Sequence, residues 1–147
     1  MTKNWNRGGA FLLAGIAFGA LVLPGADTQS KVQRGRYIVE QMSMCADCHT
    51  PMNAKGEPDK TKWLQGTPLF FKPTVVVPNW ADTAPPIAGL AGYTDAQIVR
   101  ALTTGVGAKG TPMRPPMPMF RFTQGDAEAI VAYLRTLKPA APPGAAR

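Results

Sequence analysis

Apolar positions recur at helical spacing in three stretches of the chain and follow no clear period elsewhere. Between Ser30 and Met44, the residues Val32, Tyr37, Ile38 and Met42 stand among charged neighbours, which predicts a helix. Gly35 inside it costs about 1 kcal/mol against alanine. That cost is explained if a second helix approaches closely there. A helix is also predicted over Thr94–Thr104: Thr94 caps it, Asp95 stands in its first turn, and Ile98, Ala101 and Leu102 share a face. Gly105 and Gly107 end it. The clearest helix begins at a capping-box pattern, Thr123 with Asp126, and carries one stripe of Ile130, Val131, Leu134 and Leu137 to a stop at Pro139. Tyr133 lies at the edge of that stripe.

Residues 50–90 are punctuated by Pro51, Gly56, Pro58, Gly66, Pro68, Pro73, Pro78, Pro85 and Pro86, too often for a long helix. Two short apolar pieces, Leu69–Phe71 and Thr74–Val77, read either as a small hairpin or as cover for something else. At the N-terminus Lys3 and Arg7 precede an apolar run from Gly8 to Leu23, then Pro24-Gly25-Ala26 and a polar start at Asp27. This is the export pattern. The run is shorter than the roughly 20 residues that span a bilayer comfortably, and Pro24 makes a poor processing site. Residues 1–26 are therefore expected to be a signal peptide or an uncleaved N-terminal membrane anchor, and either one exports the remainder. Residues 27–138 are expected to form one domain, and 139–147 a disordered Pro/Ala-rich tail.

Composition narrows the chemistry. A chain of 147 residues supports one modest core, and 15 Gly with 15 Pro point to a loop-rich fold. With only His49 and two cysteines, a multi-histidine metal site, a bis-histidine haem and a four-thiolate zinc or iron–sulfur site are all excluded. The net charge is +7, and without Lys3 and Arg7 fourteen cations still face nine anions. Those cations are dispersed and no recognition helix carries them, which argues against nucleic acid as a partner.

Both cysteines and the only histidine fall in Cys45-Ala-Asp-Cys48-His49. This is the pattern of c-type haem attachment. Two thiols one helical turn apart add across the two haem vinyl groups as thioethers, and the next residue becomes the proximal iron ligand. A structural disulfide would leave His49 without a role. A thioredoxin-like pair needs a preceding buried strand, which the pattern lacks. With no second histidine, the other axial ligand is a methionine or the position is open. Met42, Met44 and Met52 lie too close to the motif to reach the opposite face. There remain Met113, Met117 and Met119 in Thr111-Pro-Met-Arg-Pro-Pro-Met-Pro-Met-Phe120, a stiff proline-rich strap that leaves few N–H donors to satisfy beside an apolar macrocycle. The order of preference is Met117, Met119, Met113; the competing reading makes them core filler.

The sequence resembles the class I c-type cytochromes, in particular small bacterial monohaem ones. The resemblance is carried by Arg34-Gly-Arg-Tyr-Ile-Val-Glu40, Cys45-Ala-Asp-Cys-His-Thr50, Tyr93 to Gly105, Arg114-Pro-Pro-Met-Pro118 and Asp126 to Leu137, in the family's order over most of residues 31–138. It implies an all-α cytochrome c fold: a few short helices wrapped around one covalent haem c, with the N- and C-terminal helices crossing near Gly35 and Tyr133. It also implies His49/Met117 ligation. The nearest-looking relatives include cytochrome domains that serve periplasmic dehydrogenases. Lys60–Pro86, with Trp63, Phe70, Phe71 and Trp80, is longer and more aromatic than in a minimal carrier, and reads as haem cover or as a docking surface.

The expected function is one-electron transfer in the bacterial periplasm, between a dehydrogenase or membrane complex and a downstream oxidase or cytochrome. No residue is needed as acid, base or nucleophile. Lys55, Lys60, Lys62, Lys109 and Arg114 are candidates to surround the exposed haem edge. The alternatives are a fixed cytochrome subunit of a dehydrogenase and, less favoured, a haem enzyme or gas sensor with a labile methionine ligand.

Overall fold

The computed structural model describes residues 24–139, so residues 1–23 of the expected export segment and 140–147 of the expected tail lie outside the described residues. Helix α1 spans Pro24–Tyr37 and runs on into a π-helical turn, Ile38–Met42. Next come the single-turn α2 at Cys45–His49, α3 at Asp95–Thr104 and α4 at Gln124–Thr136. The only sheet among the described residues pairs β1, Thr67–Pro68, with β2, Thr83–Ala84, antiparallel. This is the expected helical, loop-rich architecture. None of the helices among the described residues is long and apolar enough to cross a membrane.

The α1–α4 crossing organises the molecule. A Cβ on Gly35 would collide with the Ala129 carbonyl and lie 2.9 Å from the Tyr133 Cβ, so only glycine lets the two backbones approach. Around this contact Ile38, Val39, Leu64, Leu90, Leu102, Ala127, Ile130, Val131, Tyr133 and Leu134 form one buried core. Of the stripe expected on α4, Ile130, Val131 and Leu134 are buried together with Ala127 and Ala129, while Leu137 caps the helix and is half-buried. Tyr133 is inside it, and its hydroxyl donates to the Glu40 carboxylate.

Three local expectations change. The first helix begins at Pro24 rather than Ser30, and its C-terminal part widens into the π turn, closed by Ser43 N–H to Ile38 O at 2.9 Å. The wide turn keeps consecutive Ile38 and Val39 both buried while Glu40 meets Tyr133. At α4 only half of the capping box forms. Thr123 Oγ1 accepts from the Asp126 N–H, but the Asp126 carboxylate turns away to accept from Arg34 Nε at 2.9 Å. The α3 box, by contrast, is complete between Thr94 and Gln97. Finally, Leu69–Phe71 and Thr74–Val77 do not pair with each other. Pro73 and Pro78 bracket the valine run and cannot donate to a ladder. The pairing instead closes the base of the loop, with Thr67 opposite Ala84 and Pro68 opposite Thr83.

Candidate functional site

Helix α2 is one turn long and is entered through Met44 in the left-handed region, φ 47°. Its spacing sets Cys45 and Cys48 one turn apart, both half-buried free thiols. Burial pushes the Cys45 thiol up to about 11, and it also raises Cys48, with the Asp47 carboxylate adding to the effect. Both therefore rest as neutral thiols. A redox CxxC pair has the opposite character, a thiol stabilised as thiolate.

His49 is 6 % exposed. Its Nδ1 lies 2.7 Å from the Pro85 main-chain oxygen, so an Nδ1–H donates to that carbonyl and Nε2 carries the free lone pair. Burial lowers the imidazole pKa, and the Pro85 contact opposes that shift only in part. The ring is thus held neutral, in the protonation and tautomer that a metal ligand requires.

The short sheet explains why Pro85 is where it is. The N–H of Gly66 donates to His49 O at 2.8 Å, and Leu64 N–H donates to the buried Thr50 Oγ1 at 3.0 Å. These bonds fix residues 64–66 against the C-terminal end of α2. The Thr67–Ala84 pair then brings residues 84–86 alongside. At Gly66, φ +79°, a Cβ would stand 2.6 Å from Pro86 N, so the approach depends on glycine.

The methionine strap is anchored at both ends. Its start folds back on the C-terminal end of α3 through Gly107 N–H to Thr111 O and Met113 N–H to Gly105 O, both 2.8 Å. Its middle is held to the loop before β2. Arg114 donates from Nε to Asn79 O at 3.0 Å and from Nη2 to Trp80 O at 2.6 Å, and Ala81 N–H donates to Pro115 O at 2.7 Å. Arg114 therefore braces two loops while remaining exposed. Lys62 is likewise near a carboxylate, Asp59 at 3.9 Å. Of the three methionines, Met113 places its sulfur beside Gly107 and Met119 is 58 % exposed with its stem against Gly105. Met117 is half-buried and closes a turn through its N–H to Arg114 O at 3.1 Å.

One further group bears on what the site holds. Among the described residues, the Trp80 indole Nε1 is the one buried side-chain nitrogen or oxygen with no hydrogen-bond partner. Such a donor calls for an acceptor, and a haem propionate is one. Paired neutral thiols, a neutral histidine with a free Nε2 and an unanswered indole N–H all fit haem c. Sequence reasoning reached the motif and the strap. It missed Pro85 and the Arg114 brace, because main-chain carbonyls have no residue signature.

Together these features define a c-type haem domain. The Cytochrome c family model matches residues 32–138, and the chain belongs to that family. Its cofactor is covalent haem c, and it is an electron carrier. The chain is 44% identical over 61 residues to a diheme cytochrome c-type protein of Cereibacter sphaeroides, covering 42% of this chain and 20% of that protein. It is 29% identical over 116 residues to the fructose dehydrogenase cytochrome subunit of Gluconobacter japonicus, covering 76% of this chain and 23% of that one. It is 27% identical over 129 residues to the cytochrome c subunit of a quinone alcohol dehydrogenase of Gluconacetobacter polyoxogenes, covering 81% of this chain and 27% of that one. The chain thus spans about a quarter or less of the length of these relatives.

Proposed function

We propose that this chain is an exported bacterial electron carrier that accepts electrons from a dehydrogenase or membrane complex and passes them to a downstream oxidase or cytochrome. It works in the periplasm, either free or held to the inner membrane by an uncleaved N-terminal segment. Cys45 and Cys48 hold haem c as thioethers, His49 is the proximal ligand and Met117 the distal one. Bound there, haem c supplies an iron that cycles between ferrous and ferric. The chain's residues position, shield and tune it. The Pro85 carbonyl fixes the His49 ring and raises its basicity, while Arg114 and Pro115 hold the strap that presents Met117. A thioether ligand raises the potential, which suits an acceptor of electrons from a dehydrogenase.

The observation that carries this reading is the neutral, buried His49 with Nδ1 on Pro85 O and Nε2 free. Met117 is favoured because it is half-buried, whereas Met119 is 58 % exposed and the Met113 sulfur lies beside Gly107. The cytochrome-subunit names of the relatives favour service to a dehydrogenase, as a fixed subunit or as a carrier. The test is a redox titration of the haem-loaded protein with carbon monoxide present and absent. One reversible electron per chain, with no displacement by carbon monoxide, is expected. Ready carbon monoxide binding would favour a sensor or enzyme.

A further inference from the structure

We propose that residues 79–86 form one strut that couples the two axial ligands, and that Arg114 is a positioning residue for His49 as well as for Met117. The coupling rests on the His49/Met117 ligation proposed above and adds that neither ligand's support is set independently of the other.

Two sets of hydrogen bonds converge on this segment from its two ends. At its start the methionine strap grips it. Arg114 donates from Nε to Asn79 O at 3.0 Å and from Nη2 to Trp80 O at 2.6 Å, and Ala81 N–H donates to Pro115 O at 2.7 Å. At its other end Pro85 O accepts from His49 Nδ1 at 2.7 Å. Ala81 and Pro85 are four residues apart, so chain length alone keeps these two anchor points within about 14 Å. Arg114 is also where the strap meets Met117, because its own carbonyl accepts the Met117 N–H at 3.1 Å. A single residue thus holds the Met117 turn with its main chain and the strut with its side chain.

The strut has little slack in which a displacement could dissipate. Asp82 O accepts from Leu69 N–H at 2.9 Å, and Thr83 and Ala84 lie opposite Pro68 and Thr67 in the β1–β2 pair. Every residue from Asn79 to Pro85 is therefore engaged by a hydrogen bond or a ladder partner. Pro85 and Pro86 follow, with φ fixed by their rings. The β1 strand is itself seated on the proximal side, because the neighbouring Gly66 N–H donates to His49 O at 2.8 Å. Movement of the strap at Ala81 reaches His49 by either route: along the strut to the Pro85 carbonyl, or across the strand pair to Gly66. None of these bonds involves α1 or α4. A weaker Nδ1 bond makes the imidazole a poorer donor, so whatever displaces the strap changes the tuning of His49 as well as the hold on Met117.

The test reads the His49 Nδ1–H itself, as its exchange with solvent deuterium followed by NMR. The haem-loaded ferric protein is studied with cyanide bound, so that the group opposite His49 is the same in every variant. Arg114→Ala should exchange about fivefold or more faster than Met117→Ala, the scale of one weakened hydrogen bond, with Arg114→Lys between them. The slowest backbone amides of α4 are the internal control, since loss of overall stability would speed them by the same factor. An increase shared equally with those amides, or no difference between Arg114→Ala and Met117→Ala, would overturn the coupling. A second arm starts from the His49 end and leaves Arg114 in place. Gly66→Ala should tighten the binding of added imidazole to the ferric protein about threefold or more beyond its effect in a Met117→Ala background, where there is no methionine to displace. Equal effects in the two backgrounds would also overturn the coupling. A methionine–iron band that survives Met117→Ala would overturn the ligation itself, whereas a band lost there with His49 exchange unmoved in Arg114→Ala would overturn the coupling alone.

Discussion

His49 and Pro85 stand 36 residues apart and are joined by a 2.7 Å hydrogen bond from the imidazole Nδ1 to the main-chain carbonyl. No side chain at position 85 makes this contact, so it is altered through the backbone that places it. Gly66→Ala puts a Cβ 2.6 Å from Pro86 N at a φ of +79°. Pro85 must then shift. The weaker Nδ1 bond makes the imidazole a poorer electron donor, so the reduction potential should rise. Stability should fall by about 1–3 kcal/mol. Voltammetry and thermal unfolding of the haem-loaded variant check the two effects, and an unchanged potential would count against the Pro85 role.

Gly35 and Ala129 set a second test. Alanine favours a helix by about 1 kcal/mol over glycine, yet Gly35→Ala should destabilise, because its methyl group meets the Ala129 carbonyl and Tyr133. A loss of about 2–4 kcal/mol is expected, the scale of a strongly overpacked core site. Denaturant unfolding measures it, and a stabilised variant would mean the helices are not packed this closely.

Tyr133 gives an alkaline signature. Burial, with the Glu40 carboxylate beside it, pushes the phenol from 10.0 up to about 12. The folded chain keeps the proton where the unfolded chain releases it. This contribution is complete below pH 10 and is lost as pH rises from 10 to about 12. Tyr133→Phe should remove that part of the stability decline, read from unfolding midpoints across the range.

At the acid end the sign reverses. Hydrogen bonds from Arg34 hold the Asp126 carboxyl below its usual range, and Lys31 does the same for Glu128. Each depressed carboxylate helps the fold at neutral pH and loses its effect as pH falls through its folded value. Both pairs are solvent-exposed and join α1 to α4. Salt should therefore blunt this acid-dependent loss. Unfolding midpoints from pH 6 to about pH 2 at low and high salt measure it.

Arg114 tests the strap. Arg114→Ala removes the donors to Asn79 O and Trp80 O, and Arg114→Lys replaces the rigid Nε/Nη2 fork that reaches them with a single flexible ammonium. Both variants should retain covalent haem and show a weakened methionine–iron band with faster carbon monoxide binding. A purely structural role would lower the unfolding midpoint and leave those optical signals alone.

Much of this was legible in the residues. The helix stripes, the α3 cap and stop, the Gly35 crossing and the Cys45–His49 motif follow from side-chain type and spacing, which is where sequence carries its signal. The π turn after Tyr37, the β1–β2 pairing and the Pro85 contact were not legible. Each depends on where main-chain groups meet after folding. The Asp126 carboxylate shows the same limit within one residue: its spacing from Thr123 suggests a local cap, but Arg34, distant in sequence, is the better partner once α1 lies against α4.

The most direct measurement is the optical spectrum of the haem-loaded protein, ferric and ferrous, with and without carbon monoxide, repeated for Met117→Ala, Met119→Ala and Met113→Ala. The expected result is a far-red methionine–iron band and indifference to carbon monoxide in the parent, Met119→Ala and Met113→Ala. Met117→Ala alone should lose the band and bind carbon monoxide at near-normal haem content. Persistence of the band in Met117→Ala with its loss in either of the others would contradict His49/Met117 ligation, and ready carbon monoxide binding by the parent would contradict a closed electron-transfer haem.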